Sequence, residues 1–345
     1  MLGRPAKDFL PGNELLNYFE AILRVYNRYG RRDNKYKARI KILVKDLTQE
    51  GFASEVDTEW AHLRGGPNTI PDETISAMET FFAPPAYNDL ETGGPKLGEP
   101  AIANRQFARW VSRSVSLHRH PGYAIVTLSL KKTGIPPGDA TALQMDAIAD
   151  MAERFSFGEV RVNHEQNLVL PHVPRQYLFE LWTIAASQGL ATPNIGLLTD
   201  VVCCPGGDFC SLANAKSIPI AEAIQQRFDD LDYLFDLGPL ELNISGCVNS
   251  CGHHHIGHIG ILGVDKNEEE WYQITMGGRE GNASSIGKVI GPSFAAKDIP
   301  DVIEKIVGVY VAHRHDEEVF IDTFFRIGVE PFKLGVYGAK HGTAN

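Results

Sequence analysis

The sequence predicts an α+β protein, with a small β-α-β-β-α sandwich beside a mixed-sheet α/β domain. Three observations carry that expectation. The stretch GYAIVTLSL alternates like a strand and is followed by helix, two short strands and helix. All five cysteines lie between positions 203 and 251, among short apolar segments. A Pro- and Gly-rich stretch, residues 66–104, separates both features from a helical N-terminal region.

In the N-terminal region, NELLNYFEAILRVYNRYG places Leu15, Tyr18, Phe19, Ile22 and Leu23 at helical spacing. Asp33 or Asn34 is the expected N-cap of a second helix, which carries Ile40, Leu43, Val44 and Leu47 on one face. Residues 13–65 thus read as two helices. Residues 66–104 read as a linker or crossing segment.

From residue 105 the pattern changes. Ala124, Val126, Leu128 and Leu130 face one side of a strand. ATALQMDAIADMAERF is a helix, GEVRVNHEQNLVLPHV is two strands broken near His164–Glu165, and RQYLFELWTIAASQGL is a helix ending at Gly189. This order is that of a ferredoxin-like half-domain over 105–194. A second domain, 195–345, holds the cysteines, the helical ANAKSIPIAEAIQQRFDDL, the apolar ELNISG and HIGILGV, and two C-terminal helices.

The chain of 345 residues is 43% hydrophobic and 22% charged, ordinary globular material of two or three domains. A formal net charge of −10 argues against general nucleic-acid binding but leaves room for a local anion pocket. No 18-residue apolar run and no N-terminal signal pattern occur, so no membrane partner and a cytoplasmic setting are expected.

The cysteines follow the pattern Cys204-x5-Cys210, then 36 residues, then Cys247-x3-Cys251. Four thiolates suit a 4Fe–4S cluster. Gly206, Gly207, Gly246 and Gly252 flank them, as tight turns and backbone donors to a cluster require. Structural zinc, which prefers shorter knuckles, and a pair of disulfides, which need an oxidising compartment, are the alternatives. Cys203 is the leftover thiol and reads as a small buried apolar residue.

VVCCPGGDFCSLA and NISGCVNSCGHHHIGHIGILG resemble the paired-cysteine signature of the sirohaem-containing nitrite and sulfite reductases. The resemblance implies that Cys204, Cys210, Cys247 and Cys251 ligate the cluster. It also implies that Cys251 bridges to the iron of sirohaem. GRRDNKYKARIK is a basic turn that is otherwise a solvated patch. It resembles the family's substrate-binding segment, which implies that Lys37, Arg39 and Lys41 hold and protonate sulfite or nitrite. Lys37 is expected in the first turn of the second helix, on one face with Lys41. RVNHEQN resembles an Arg-x-Thr-x-x-Gln-Asn strand, with Asn163 in place of threonine. By that likeness Arg161, Gln166 and Asn167 support sirohaem, and Asn249 is a further cofactor contact. His253, His254, His255 and His258 read as polar lining or a proton relay ahead of an added metal site.

The resemblance further implies six-electron reduction of sulfite to sulfide, or of nitrite to ammonia, fed by an external flavoprotein or ferredoxin. Sulfite is favoured because RRDNKYKARIKILVKDL looks most like bacterial assimilatory enzymes. Residues 1–65 look like the end of a first sirohaem domain, and 195–345 like the sirohaem/4Fe–4S domain. The family's N-terminal half has no counterpart here. The chain alone is therefore expected to be impaired unless another chain supplies that half; a non-catalytic iron–sulfur or zinc fragment is the competing reading.

Overall fold

A computed structural model describes residues 2–88, 90 and 104–338. The chain divides into two compact units, Met1–Tyr87 and Asn88–Asn345.

The first unit is helical. α1 (Leu15–Tyr29), α2 (Ile40–Leu47) and α3 (Gln49–Leu63) enclose Tyr18, Ala21, Val25, Leu43, Phe52, Val56 and Trp60. Two helices were expected where three occur. Thr48, at φ 66°, breaks the run, and its hydroxyl accepts from the Gly51 amide to cap α3. The buried face of α1 is also rotated from the expected one. Asn17, Tyr18, Ala21 and Val25 point inward, while Leu15, Phe19 and Leu23 are exposed. A buried polar contact sets this rotation: the Glu14 carboxylate accepts from Asn17, from the Trp60 indole at 3.2 Å and from the Gly65 amide at 3.1 Å. Inside the expected linker lies α4 (Asp72–Phe81), opened by Pro71 and by Asp72 and Glu73 in its first turn, with no buried residue. The rest of that stretch at 89 and 91–103 lies outside the described residues.

The second unit has two cores. The first belongs to α5 (Arg105–Ser114), β1 (Val115–Leu117), β2 (Tyr123–Leu128), α6 (Ala142–Phe155), β3 (Arg161–Val162), β4 (Leu168–Pro174) and α7 (Leu178–Ser187). The strands form an antiparallel sheet in the order β1-β2-β4-β3. This is the ferredoxin-like half, with α5 and β1 added to the elements read from sequence. Thr141 and Gln144 form a capping box that starts α6, and Ala124, Val126 and Leu128 bury the inward face of β2.

The second core surrounds a mixed sheet. Its elements run β5 (Val202–Cys203), α8 (Gly206–Phe209), α9 (Ile218–Arg227), α10 (Leu231–Leu237), β6 (Leu242–Ser245), β7 (Ile259–Lys266), β8 (Glu269–Met276), β9 (Lys288–Val289), β10 (Phe294–Ala295), α11 (Ile299–His313), α12 (Phe320–Ile327) and α13 (Glu330–Tyr337). The order is β10-β8-β7-β6-β5, with β9 on β8. β5, β6 and β7 are parallel neighbours, and β7–β8 is an antiparallel hairpin. The long expected helix at 213–231 is shorter. Pro219 opens α9 at Ile218, and Asp230 caps a separate α10. No helix among the described residues is long and apolar enough to cross a membrane.

Ile261 sits at the centre of this sheet, paired to Ile244 and Ile274 and fully buried. Ile261→Ala is expected to cost about 3 kcal/mol. In denaturant titrations this reads as a lower midpoint with an unchanged slope for the transition of the second unit.

Candidate metal centre

Parallel pairing of β5 with β6 brings the two cysteine loops together. Val202 pairs with Asn243 and Cys203 with Ile244. The Cys204 amide then donates to the Ile244 carbonyl at 3.1 Å, just past the end of β5. Both strands therefore release their loops at the same sheet edge, and Cys247 follows β6 by two residues. The Gly246 amide donates to Cys204 Sγ at 3.1 Å, a direct link between one cysteine and the loop of the next pair. The Asn214 and Ala215 amides close the first loop onto the Gly246 carbonyl at 2.9 and 3.1 Å.

Between Cys204 and Cys210 the chain makes the single turn α8, closed by the Cys210 amide on the Gly206 carbonyl. Between Cys247 and Cys251, Ser250 takes φ 62°, and its amide donates to the Cys247 carbonyl. Gly252 then runs so close beneath β6 that a Cβ there would sit 1.9 Å from the Ile244 carbonyl oxygen and 3.2 Å from the Cys204 nitrogen. Only glycine fits at this crossing.

All five thiols are free. Cys203, Cys204 and Cys247 are buried, Cys210 is half-buried and Cys251 is exposed. Burial pushes the Cys203 thiol up, as an inert core thiol requires. Among the described residues, no three cysteine sulfurs lie within 4.8 Å of one another. A single tetrahedral zinc with 2.3 Å bonds would hold its sulfurs about 3.8 Å apart. The donor set, the amide on Cys204 Sγ and the glycine crossing fit an iron–sulfur core shared by two loops.

The ferredoxin-like half fastens this edge. Gln166, at φ 60°, donates from Nε2 to the Cys203 carbonyl at 2.7 Å and accepts at Oε1 from the Cys203 amide at 2.9 Å. Its amide group thus acts as an extra ladder rung on β5. Asn167 is fully buried, donating to Asp200 Oδ1 and accepting from the Leu130 amide. Lys131 has no solvent exposure and donates to the carbonyls of Glu165 at 2.7 Å and Val201 at 2.9 Å, with Asp200 at 3.4 Å. Burial pushes its ammonium pKa down, and Asp200 opposes that shift. Nothing in the KK dipeptide marks Lys131 as interior; its role emerges from tertiary packing alone. Arg161 lies on β3, exposed and paired with Glu159 at 2.5 Å. Asn163, in place of threonine, accepts from the Asn167 amide at 2.8 Å. Asn249 is exposed between the last two cysteines.

The histidine run divides by burial. His254 and His258 are buried, which holds both near pKa 4 and neutral at pH 7. The Ser250 hydroxyl lies 3.1 Å from His254 Nδ1 and 2.6 Å from His255 Nδ1. The Glu241 amide donates to His258 Nδ1 at 3.2 Å, which leaves the neutral ring's proton on Nε2.

In the first unit, considered by itself, Lys37 lies in a turn before α2, not in its first helical turn. The Asn34 side chain accepts from the Tyr36 amide to build that turn, and Asp33 pairs with Arg31. Arg39 occupies the N-cap without a capping side-chain bond, and Lys41 is the second helical residue. The shared helical face expected for Lys37 and Lys41 is therefore absent. All three cations are exposed, and among the described residues none has a carboxylate partner.

Two outcomes test this geometry. Gly252→Ala is expected to force the backbone apart at this crossing, read as a lower melting temperature, and to retain about a tenth or less of the iron bound by the parent chain, read by iron and sulfide analysis. The folded-state pKa of His254, about 4, lies below the unfolded value near 6.5. Its contribution to stability is thus complete above pH 6.5 and lost as pH falls toward 4. His254→Gln is expected to flatten the fall in melting temperature across that window.

Profiles of known families match most of the chain. The "Nitrite and sulphite reductase 4Fe-4S domain" matches residues 2–63 and 196–341, and the "Nitrite/Sulfite reductase ferredoxin-like half domain" matches 132–188. The chain is 26% identical to the chloroplastic ferredoxin–nitrite reductase of Zea mays, over 91% of its own length and 51% of the relative's. It is 24% identical to sulfite reductase [ferredoxin] 1 of Mycolicibacterium paratuberculosis, over 96% and 55%. It spans about half the length of these curated relatives. The Mycobacterium tuberculosis NirA structure shares the fold, with TM-score 0.68 and 23% identity over 96% of this chain and 56% of that one. With both profiles matched and the cysteine loops assembled on one sheet edge, the chain belongs to the nitrite and sulphite reductase family, oxidoreductases whose cofactors are a 4Fe–4S cluster and sirohaem.

Proposed function

We propose that this chain forms the cluster-bearing part of a sulfite reductase. The observation that carries the reading is that the loops bearing the two cysteine pairs leave the ends of two parallel strands, β5 and β6, and are joined by the Gly246 amide on Cys204 Sγ. Cys204, Cys210, Cys247 and Cys251 are assigned to the cluster. Cys251, the exposed thiol, is assigned as the ligand shared with sirohaem iron. When bound, these cofactors supply electrons from an external donor, a flavoprotein or ferredoxin, for the six-electron reduction of sulfite to sulfide.

The chain's own residues hold and orient. Gln166 and the Lys131–Asp200 pair keep β5 in place, so that Cys204 and Cys210 leave it in a fixed direction. Lys37, Arg39 and Lys41 are assigned to bind the oxyanion. Three exposed cations close in sequence repel one another, and an anion offsets that cost. A lysine ammonium can pass a proton, and the Arg39 guanidinium hydrogen bonds and charge, to oxygens that gain negative charge as they are lost. Asn249, exposed on the cysteine loop, and Arg161 are assigned to cofactor carboxylates. In Arg161 this needs exchange of its Glu159 partner. Sulfite is preferred to nitrite on the likeness of the basic segment to assimilatory enzymes.

The test is turnover of the reconstituted full chain with a reduced viologen dye, sulfite and nitrite being compared. Sulfite is expected to give the higher kcat/KM. Lys37→Ala and Arg39→Ala are each expected to lower it by about ten-fold or more, the weight of one charged hydrogen bond. A clear excess of nitrite turnover would reassign the substrate. Unchanged kinetics in both variants would remove the basic turn from the site.

A further inference from the structure

Ser217 occupies the N-cap of α9 but does not cap it. A serine there ordinarily accepts a hydrogen bond from the second or third helical amide. Pro219 removes one such amide, and the Ser217 side chain makes no capping bond. Its hydroxyl instead lies 3.4 Å from Cys204 Sγ. The residue has no solvent exposure, so this contact replaces water as well as the helix amide.

The surrounding backbone is shaped to admit that hydroxyl. Gly206, at φ 58°, would place a Cβ 2.4 Å from the Ser217 nitrogen and 2.6 Å from Oγ. A Cβ on Gly246 would lie 3.1 Å from the same oxygen. Larger residues at either position would push Ser217 off the sulfur. The Gly246 amide donates to this sulfur from the second loop. Cys204 Sγ thus has two polar contacts, the Gly246 amide that donates to it and the Ser217 hydroxyl, whose direction depends on whether the sulfur carries a proton.

We propose that Ser217 is a positioning and tuning residue for the cluster, its hydroxyl donating to the Cys204 thiolate and raising the cluster's reduction potential. The inference rests on the assignment of Cys204 as a cluster ligand. A ligating thiolate can only accept, so the hydroxyl must be the donor. Adding one electron to the cluster increases negative charge on its sulfurs. A buried donor on one of them therefore stabilises the reduced form over the oxidised form. Neither bond making nor proton transfer is involved; the hydroxyl keeps its proton in both redox states.

The experiment uses the full chain, reconstituted anaerobically with iron and sulfide, as parent, Ser217→Ala and Ser217→Thr. Iron and sulfide content and the broad brown absorbance report the cluster. Redox titration followed by electron paramagnetic resonance reports its potential. The alanine variant is expected to load as much iron as the parent and to titrate at a more negative potential. The threonine variant, which keeps the hydroxyl, is expected to titrate near the parent. If Ser217→Ala fails to load, Ser217→Gly repeats the measurement without a side chain. An unchanged potential in a loaded, hydroxyl-free variant overturns the proposal. So does failure of both hydroxyl-free variants to load while the parent loads, since Ser217 would then serve assembly. A parent that takes up no cluster overturns the cysteine assignment itself, and this inference with it.

Discussion

The register between β5 and β6 is the constraint on which the metal centre depends. A two-residue parallel ladder is weak by itself, since parallel pairs slant their hydrogen bonds and β5 is a minimal strand. A slip of one residue would turn each β5 side chain, Cys203 included, to the face opposite the one it now takes. The protein secures the register from outside the ladder. The Gln166 side chain adds two hydrogen bonds to Cys203, Lys131 holds the Val201 carbonyl, and Gly252 crosses beneath Ile244 where nothing larger can pass. The ferredoxin-like half thus serves as a brace for the short strand from which the first cysteine pair departs.

What could be read from the residues alone divides along physical lines. The meeting of the two cysteine loops was legible because paired cysteines at that spacing call for a common centre, and the flanking glycines because backbone crossings exclude side chains. The strand–helix order of the ferredoxin-like half was legible from periodicity, and its capping box at Thr141 and Gln144 bounds α6 as local rules expect. The inward face of α1 was not. Apolar residues surround that helix, so spacing alone leaves its rotation open. Glu14 decides it by accepting from Asn17, Trp60 and Gly65.

The basic turn shows a second limit. Asp33 and Asn34 carry the composition of an N-cap, yet Asn34 spends its side chain on a local turn and the helix starts at Ile40. Local hydrogen bonding by short polar side chains competes with helix initiation, and composition does not say which wins. Gln166 marks a third limit. Its motif suggests a contact to the cofactor, whereas both polar atoms of its amide are engaged by Cys203. Ser217 shows the converse, a residue whose helix-start position conceals its proximity to a sulfur.

The interior ammonium of Lys131 has a consequence for how the second unit melts. Its partners come from both sub-structures: Glu165 from the ferredoxin-like half, Val201 and Asp200 from the approach to β5. Pulling the two apart would strand a cation and a carboxylate in apolar surroundings, a cost of several kcal/mol unless water enters. Partial opening at that seam is therefore disfavoured for as long as water is kept out. The two cores should come undone together, in one cooperative step, and neither should be obtainable as a stable fragment cut from the other.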